Sequence, residues 1–310
     1  MQLVKATKNL IKKSSALTTT IYNVRRMSEK PLNLLSTLEV ARNPDALLVQ
    51  WWTGVPNNWG DALNPVLVER LSGRKPYLSR KIINVTNKPV YSVIGSVLGQ
   101  KQNRIKNIVV WGSGFMSEQS SFEVKPRGIC AVRGPLTRNR ILSLGLDCPE
   151  VYGDPALLYP LFYKPKRVKK YKLGIIPHHQ DRNDEKLKRF EQYSDVLIID
   201  ILGGIDEFID EICSCELIAS TSLHGIIAAD SYDVPSAWIE LSDKVSGGGF
   251  KFFDYFQSVG RECRNPLQIT ENTSLQQIYD QFEDYKIDID LAKLLDACPF
   301  KAKETASYFV

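Results

Sequence analysis

The chain has 310 residues, 43% of them apolar and 24% charged, an ordinary globular balance that excludes a disordered or collagen-like chain and by length points to two domains. Forty Lys and Arg against 35 Asp and Glu leave a net charge of +5, too mild to argue for nucleic acid as a partner. There is no run of 18 apolar residues and no signal-like apolar leader, so the expected location is cytoplasmic. The six cysteines lack any Cys-x-x-Cys or Cys/His spacing and read as free thiols in a reducing compartment, with Cys213 and Cys215 on different faces of one helix. No metal-ligand cluster and no cofactor are expected.

Residues 1–44 form a basic N-terminal segment. Residues 1–28 hold Lys5, Lys8, Lys12, Lys13, Arg25 and Arg26 with no acid, and Leu3, Leu10, Leu17 and Val24 recur every seven residues. That pattern fits a mobile tail, a packed helix, a transit peptide or a peripheral membrane contact at the inner face of the membrane.

From residue 45 short apolar runs alternate with amphipathic stretches, which predicts α/β units on a parallel sheet. Over 45–163 the expected strands are Ala46–Thr53, Tyr91–Val97, Ile108–Trp111 and Ile129–Val132, with helices over Asp61–Leu71 and Pro135–Leu144. The basic, aperiodic stretch 164–170 reads as a linker. A second Rossmann-like series occupies 171–270: strands Leu173–Ile176, Asp195–Ile201, Leu217–Ser220 and Ser236–Ile239, and helices Arg182–Tyr193, Asp206–Cys215 and one from His224. Residues 271–310 supply C-terminal helices over Leu275–Tyr285 and Ile289–Ala297. Two such domains facing a cleft give a GT-B-like layout with ligands at the carboxyl ends of both sheets.

Several strand ends carry chemistry. Asp61 follows a tight turn at Gly60 and reads either as a helix N-cap or as a carboxylate orienting a hydroxyl. Gly112, Ser113 and Gly114 close an apolar strand, forming an anion-binding turn or a plain one. Arg133, between a strand and a Pro-initiated helix, suits a carboxylate or phosphate, or else a structural ion pair. Asp154 before Pro155 reads first as a turn. Ser222, His224 and Gly225 lie where a strand meets a helix N-terminus, a site for anions. Lys251 follows three glycines in Ser246–Phe256 and either reaches a bound phosphate from a glycine loop or sits on a surface helix.

Asn58-x-Gly60-Asp61, Trp111-Gly112-Ser113-Gly114, Arg133-Gly134-Pro135-Leu136-Thr137, Gly153-Asp154-Pro155-Ala156 and Ser222-Leu223-His224-Gly225, in that order, resemble the polysaccharide pyruvyl transferase family. Ile176-Pro177-His178-His179, Phe250-Lys251 and Ala297-Cys298-Pro299-Phe300 look like its exopolysaccharide branch. The resemblance implies transfer of a pyruvyl group from phosphoenolpyruvate to paired sugar hydroxyls as a cyclic ketal. The acceptor is then a saccharide, or a lipid-linked oligosaccharide if residues 1–28 lie on a membrane.

Where some family members carry Arg this chain has Ser222, which leaves one cation fewer for the donor. On this reading Arg133, Lys251 and the helix end at Gly225 bind the donor, His224 is the acid as an imidazolium, and Asp61 or His178 removes a proton. A nucleotide-sugar glycosyltransferase and a non-catalytic saccharide-binding protein are the alternatives on the same fold.

Overall fold

Apolar runs bounded by turn residues become short, almost fully buried parallel strands in a computed structural model of the chain. The structure describes residues 34–55, 57–82, 87–99, 107–166, 168–244, 247 and 249–302. The expectations for residues 1–28 lie outside them, as do Ser246 and Gly248 of the glycine loop.

Helix α1 (34–42) precedes the first sheet. In chain order that sheet's elements are β1 (Leu47–Gln50), α2 (Trp59–Ser72), β2 (Pro76–Leu78), β3 (Val90–Ser92), β4 (Ile108–Trp111), β5 (Gly128–Ala131) and α3 (Pro135–Ser143). The second sheet follows as β6 (Tyr171–Ile176), α4 (Glu185–Lys188), β7 (Val196–Ile198), α5 (Ile205–Cys213), β8 (Cys215–Ser220), α6 (Leu223–Ser231), β9 (Ser236–Glu240), α7 (Phe250–Ser258) and β10 (Leu267–Gln268). Helices α8 (Leu275–Tyr279) and α9 (Leu291–Asp296) come last.

The strands β1, β3 and β4 are buried at every residue, as strands covered on both faces must be. Helix boundaries follow local chemistry. Pro135 opens α3, where its missing N–H costs nothing. Gly73, at φ 64°, closes α2 and donates to the Glu69 carbonyl at 2.8 Å, as a left-handed C-terminal glycine does. Ser274 and Gln277 form a reciprocal capping box on α8.

Both sheets are parallel and share one topology. The first runs β2-β1-β3-β4-β5 and the second β10-β9-β8-β6-β7, which counted from its own first strand is the same flavodoxin-type order. The strand order therefore reverses direction between β1 and β3, and again between β6 and β8. Those are the places where open α/β sheets leave a crevice at their carboxyl ends.

Some elements differ from expectation. The helix expected over Arg182–Tyr193 is reduced to Glu185–Lys188: Asp184 caps it through Lys186 N–H, and Asp184, Leu187, Phe190 and Tyr193 each donate to a carbonyl three residues back, a run of tight turns. Asp290 starts α9 two residues late by accepting from Lys293 N–H, and α8 ends at Tyr279. Cys213 ends a helix whereas Cys215 begins a strand, so the two do not share one. The edge strands β2 and β10, three and two residues long, were too short to show a period.

Contacts between the two sheets' elements are apolar and polar. The largest hydrophobic cluster takes Leu47, Val49 and Trp111 from the first and Ile176, Ile218 and Trp238 from the second. Trp59 donates its backbone N–H to Ile201 O at 3.0 Å and its indole to Ile205 O at 3.1 Å. Phe300 packs edge-on to Tyr91 and Trp111. Asp254 of α7 accepts from Arg133 Nε at 3.0 Å and from Thr137 N–H and Oγ1 at 2.8 and 2.7 Å, with both side chains of the ion pair fully buried. Removing one partner of such a pair leaves a bare buried charge. Asp254→Ala should therefore lower unfolding free energy by about 3–5 kcal/mol, read as a reduced urea midpoint; an unchanged midpoint would contradict the role.

Candidate functional site

Loops from the carboxyl ends of both sheets line one cavity of about 620 Å³. From the first sheet come Trp52, Gly54, Val55, Asn58 and Asp61 after β1, Gly95, Ser96 and Val97 after β3, and Met116 after β4. The second sheet supplies His178, His179 and Gln180 after β6, Ser222, Leu223 and His224 after β8, and Lys244 and Lys251 after β9. The walls thus come chiefly from the strands that flank the two reversals.

Asp61 is the third residue of α2, and Asn58, not Asp61, is the N-cap. Its carboxylate accepts from Asn58 Nδ2 at 2.8 Å and from the Trp52 backbone N–H. Burial outweighs both bonds and pushes its pKa up to about 7, so the carboxyl carries a proton for much of the time at neutral pH.

His224 is the second residue of α6. Its ring lies so close to Gly60 that a Cβ there would sit 2.2 Å from the ring Cγ and Nδ1, and only glycine permits this approach. Burial, then Lys251 and Arg133, drive the His224 pKa down to about 3, and the positive end of α6 acts in the same direction. The imidazolium acid expected at His224 is therefore corrected to a neutral imidazole.

His178 is held down to about 3 by burial, with His179, Lys251 and His224 adding to it. Its backbone N–H donates to Thr221 Oγ1 at 2.6 Å, tying the β6 loop to the β8 loop. His179 is also lowered, by burial and then Lys251.

Lys251 is the second residue of α7, whose N-cap Gly249 has φ 82°. It is 9% exposed, and burial followed by Arg133 lowers its pKa to about 8. Among the described residues it has no ion-pair or hydrogen-bond partner; the Phe252 ring lies 5.4 Å away, and the charge of Glu240 only partly offsets the lowering. Lys244 also lines the cavity and pairs with Asp181 at 3.8 Å.

Asp61, His178, Ser222, His224 and Lys251 are thus brought together. The remaining sequence candidates lie behind the wall. Arg133 is fully buried, and its three nitrogens donate to Asp254, Ser96 Oγ and Phe115 O, so it braces Ser96 and does not face the cavity. Gly112 and Gly114 donate their N–H groups to Ala131 O and Gly95 O; their missing side chains make room for Pro155 and the Arg133 guanidinium. Ser113 bonds Ser92 Oγ at 2.7 Å.

Asp154, fully buried, accepts from Ala156 N–H at 3.0 Å and opens a 3₁₀ turn, and burial lifts its pKa to about 6. Gly225 donates to Ser222 O, so its N–H is spent inside the turn, and the absent Cβ clears Ser220 Oγ. The Ser222 side chain makes no cap bond, which leaves the first α6 N–H groups without that partner. Trp52, Ser96, Gln180 and Lys244 carry no motif in the sequence, and His179 enters there only beside His178; the Trp51-Trp52 pair near a strand end is the available signal.

The sequence profile of the family described as polysaccharide pyruvyl transferase matches residues 58–243, the stretch that holds Asp61, His178, Ser222 and His224 but neither Trp52 nor Lys251. A succinoglycan biosynthesis protein, ExoV, of Rhizobium meliloti (strain 1021) is 28% identical over 229 residues, 72% of this chain and 68% of that protein. An uncharacterized protein of Acanthamoeba polyphaga mimivirus is 30% identical over 221 residues, 66% of this chain and 72% of that protein.

The Asp61 shift has a measurable sign. Folding raises its pKa from 3.8 to about 7, so between those values the folded state binds more protons than the unfolded one and stability falls as pH rises. The shifts of His178 and His224 act oppositely, from about 6.5 down to about 3. Comparison with Asp61→Asn isolates the carboxyl. Relative to wild type, the variant should gain stability between pH 4 and pH 8, by up to about 4 kcal/mol; parallel stability curves would show that Asp61 is not held protonated.

Proposed function

This chain belongs to the polysaccharide pyruvyl transferase family, and from that premise we propose that its cavity transfers the pyruvyl group of phosphoenolpyruvate to a hydroxyl pair of a saccharide as a cyclic ketal. The observation that carries the donor assignment is Lys251, an almost buried ammonium that forms no ion pair among the described residues, with Glu240 acting on it only as a minor charge interaction. It lines the same cavity as the start of α6. A ligand with a phosphate and a carboxylate supplies the charge that this cation and the helix N-terminus lack. The GT-B-like division into residues 45–163 and 171–270 belongs to the same proposal, with the donor between the two.

The residues divide the chemistry by protonation. Asp61, neutral through burial, gives its proton to the methylene carbon of the enol ester, and positive charge develops on the carbon bearing the phosphate. A sugar hydroxyl attacks that carbon while His224, a neutral imidazole, takes the hydroxyl proton. Inorganic phosphate then leaves with its bonding electron pair and takes up the proton held by His224, the second hydroxyl attacks the same carbon, and its proton returns to the ionised Asp61. Environments that push a carboxyl up and an imidazole down assign acid and base in this way. Arg133 enters only by bracing Ser96 and contributing positive potential.

Isothermal titration with phosphoenolpyruvate tests the reading, run beside uridine diphosphate and in buffers of different ionisation enthalpy. Phosphoenolpyruvate should bind, and Lys251→Ala should weaken it by about tenfold to a hundredfold. The donor's charge raises the pKa of every neighbouring group. Asp61 is poised near 7, so binding at pH 7.5 should take up a fraction of a proton and the observed enthalpy should vary with buffer. Binding of the nucleotide without phosphoenolpyruvate would replace this function with nucleotide-sugar glycosyl transfer.

A further inference from the structure

Among the cavity-lining side chains Trp52 is the large aromatic that the donor chemistry does not use. It is 36% exposed, although its neighbour Trp51 packs against the main core. The indole has a fixed seat. A Cβ on Gly54 would lie 2.4 Å from Trp52 Cζ2 and 2.5 Å from Cε2, so the bare Gly54 backbone is pressed against the ring. The Trp52 backbone N–H donates to the Asp61 carboxylate, which fixes the residue beside the proposed acid.

A broad aromatic face open inside a cavity that also carries hydrogen-bonding side chains suits a ligand with an apolar face and a polar edge. The ligand must offer an apolar face to the indole and a polar rim to Asn58 and Gln180, which line the same cavity. Phosphoenolpyruvate has no such face, and a cavity of about 620 Å³ has room for a second, larger molecule. A pyranose has both parts: axial C–H bonds on one face, which suit an aromatic surface, and hydroxyls around its edge.

We propose that the Trp52 indole, backed by Gly54, is the platform on which a pyranose ring of the acceptor stacks, so that its hydroxyl edge is presented to Asp61 and His224. This rests on the pyruvyl-transfer reading for what happens to those hydroxyls, but sugar binding itself does not depend on that reading. Trp52 is a binding and orienting residue, and its loss acts on the acceptor and not on the donor.

The test follows tryptophan fluorescence of the purified full chain while methyl β-D-glucopyranoside, methyl β-D-galactopyranoside and methyl β-D-mannopyranoside are added, and separately measures phosphate release with phosphoenolpyruvate present. Trp59 and Trp111 are fully buried, Trp238 is 7% exposed and Trp51 is half-buried against the core, so a saturable change that is present in wild type and in Trp51→Phe but lost in Trp52→Phe reports the platform. Trp52→Ala and Gly54→Ala should each raise the acceptor KM for phosphate release by about tenfold, with calorimetric affinity for phosphoenolpyruvate kept within twofold and Trp52→Phe recovering most of the loss. No saturable change in wild type with any of the three pyranosides overturns the platform, as does an unaltered acceptor KM in Trp52→Ala. Saturable binding without phosphate release would leave the platform standing and remove the pyruvyl-transfer reading.

Discussion

The cavity depends on one close approach, the His224 ring laid against the backbone of Gly60. That contact joins the first turn of α2 to the first turn of α6, so two helix N-termini from different sheets converge beside Asp61. A methyl group at residue 60 has no space unless the ring moves. The ring is held half-buried at the cavity wall, and its burial together with Lys251 keeps it neutral. Structure and electrostatics at the site are therefore consequences of the same packing.

The repeated topology explains why the site is double-walled. Each sheet reverses its strand order once, and the loops that diverge from each reversal form the two walls. The pattern of charge is that of a site completed by its ligand. Asp61 sits up near neutrality, the histidines sit far down, and Lys251 is lowered to about 8. An anion favours the protonated forms of Lys251 and Asp61, while His224, starting from about 3, has room to rise and still stay neutral at working pH.

Much of this was legible in the sequence, and the misses have physical causes. Glycines, prolines and short apolar runs mark elements locally, so β4, the starts of α3 and α6, and the convergence of Asp61, His224 and Lys251 at strand ends could be read in advance. Arg133 could not be assigned that way. An arginine between a strand and a helix looks the same in sequence whether it faces a ligand or a partner, and its partner Asp254 is 121 residues distant. The same holds for Gly112 and Gly114, whose neighbours Pro155 and Arg133 are close only in space. An imidazolium at His224 presumes an unperturbed imidazole, whereas burial is a tertiary property. Trp52 was hidden inside a strand expected to reach Thr53; the strand ends at Gln50, and the next residues turn into the cavity.

The most direct measurement of this central constraint is a proton-detected titration of the histidine Cε1–H resonances in the ligand-free protein. The chain has only three histidines, and His224→Gln assigns the resonance of interest. A His224 signal that stays at its neutral position from pH 8 down to about pH 4.5 is the expected result. A midpoint near 6.5 would show an imidazole open to water, and with it the neutral base, the Gly60 contact and the division of roles between His224 and Asp61 would all be contradicted.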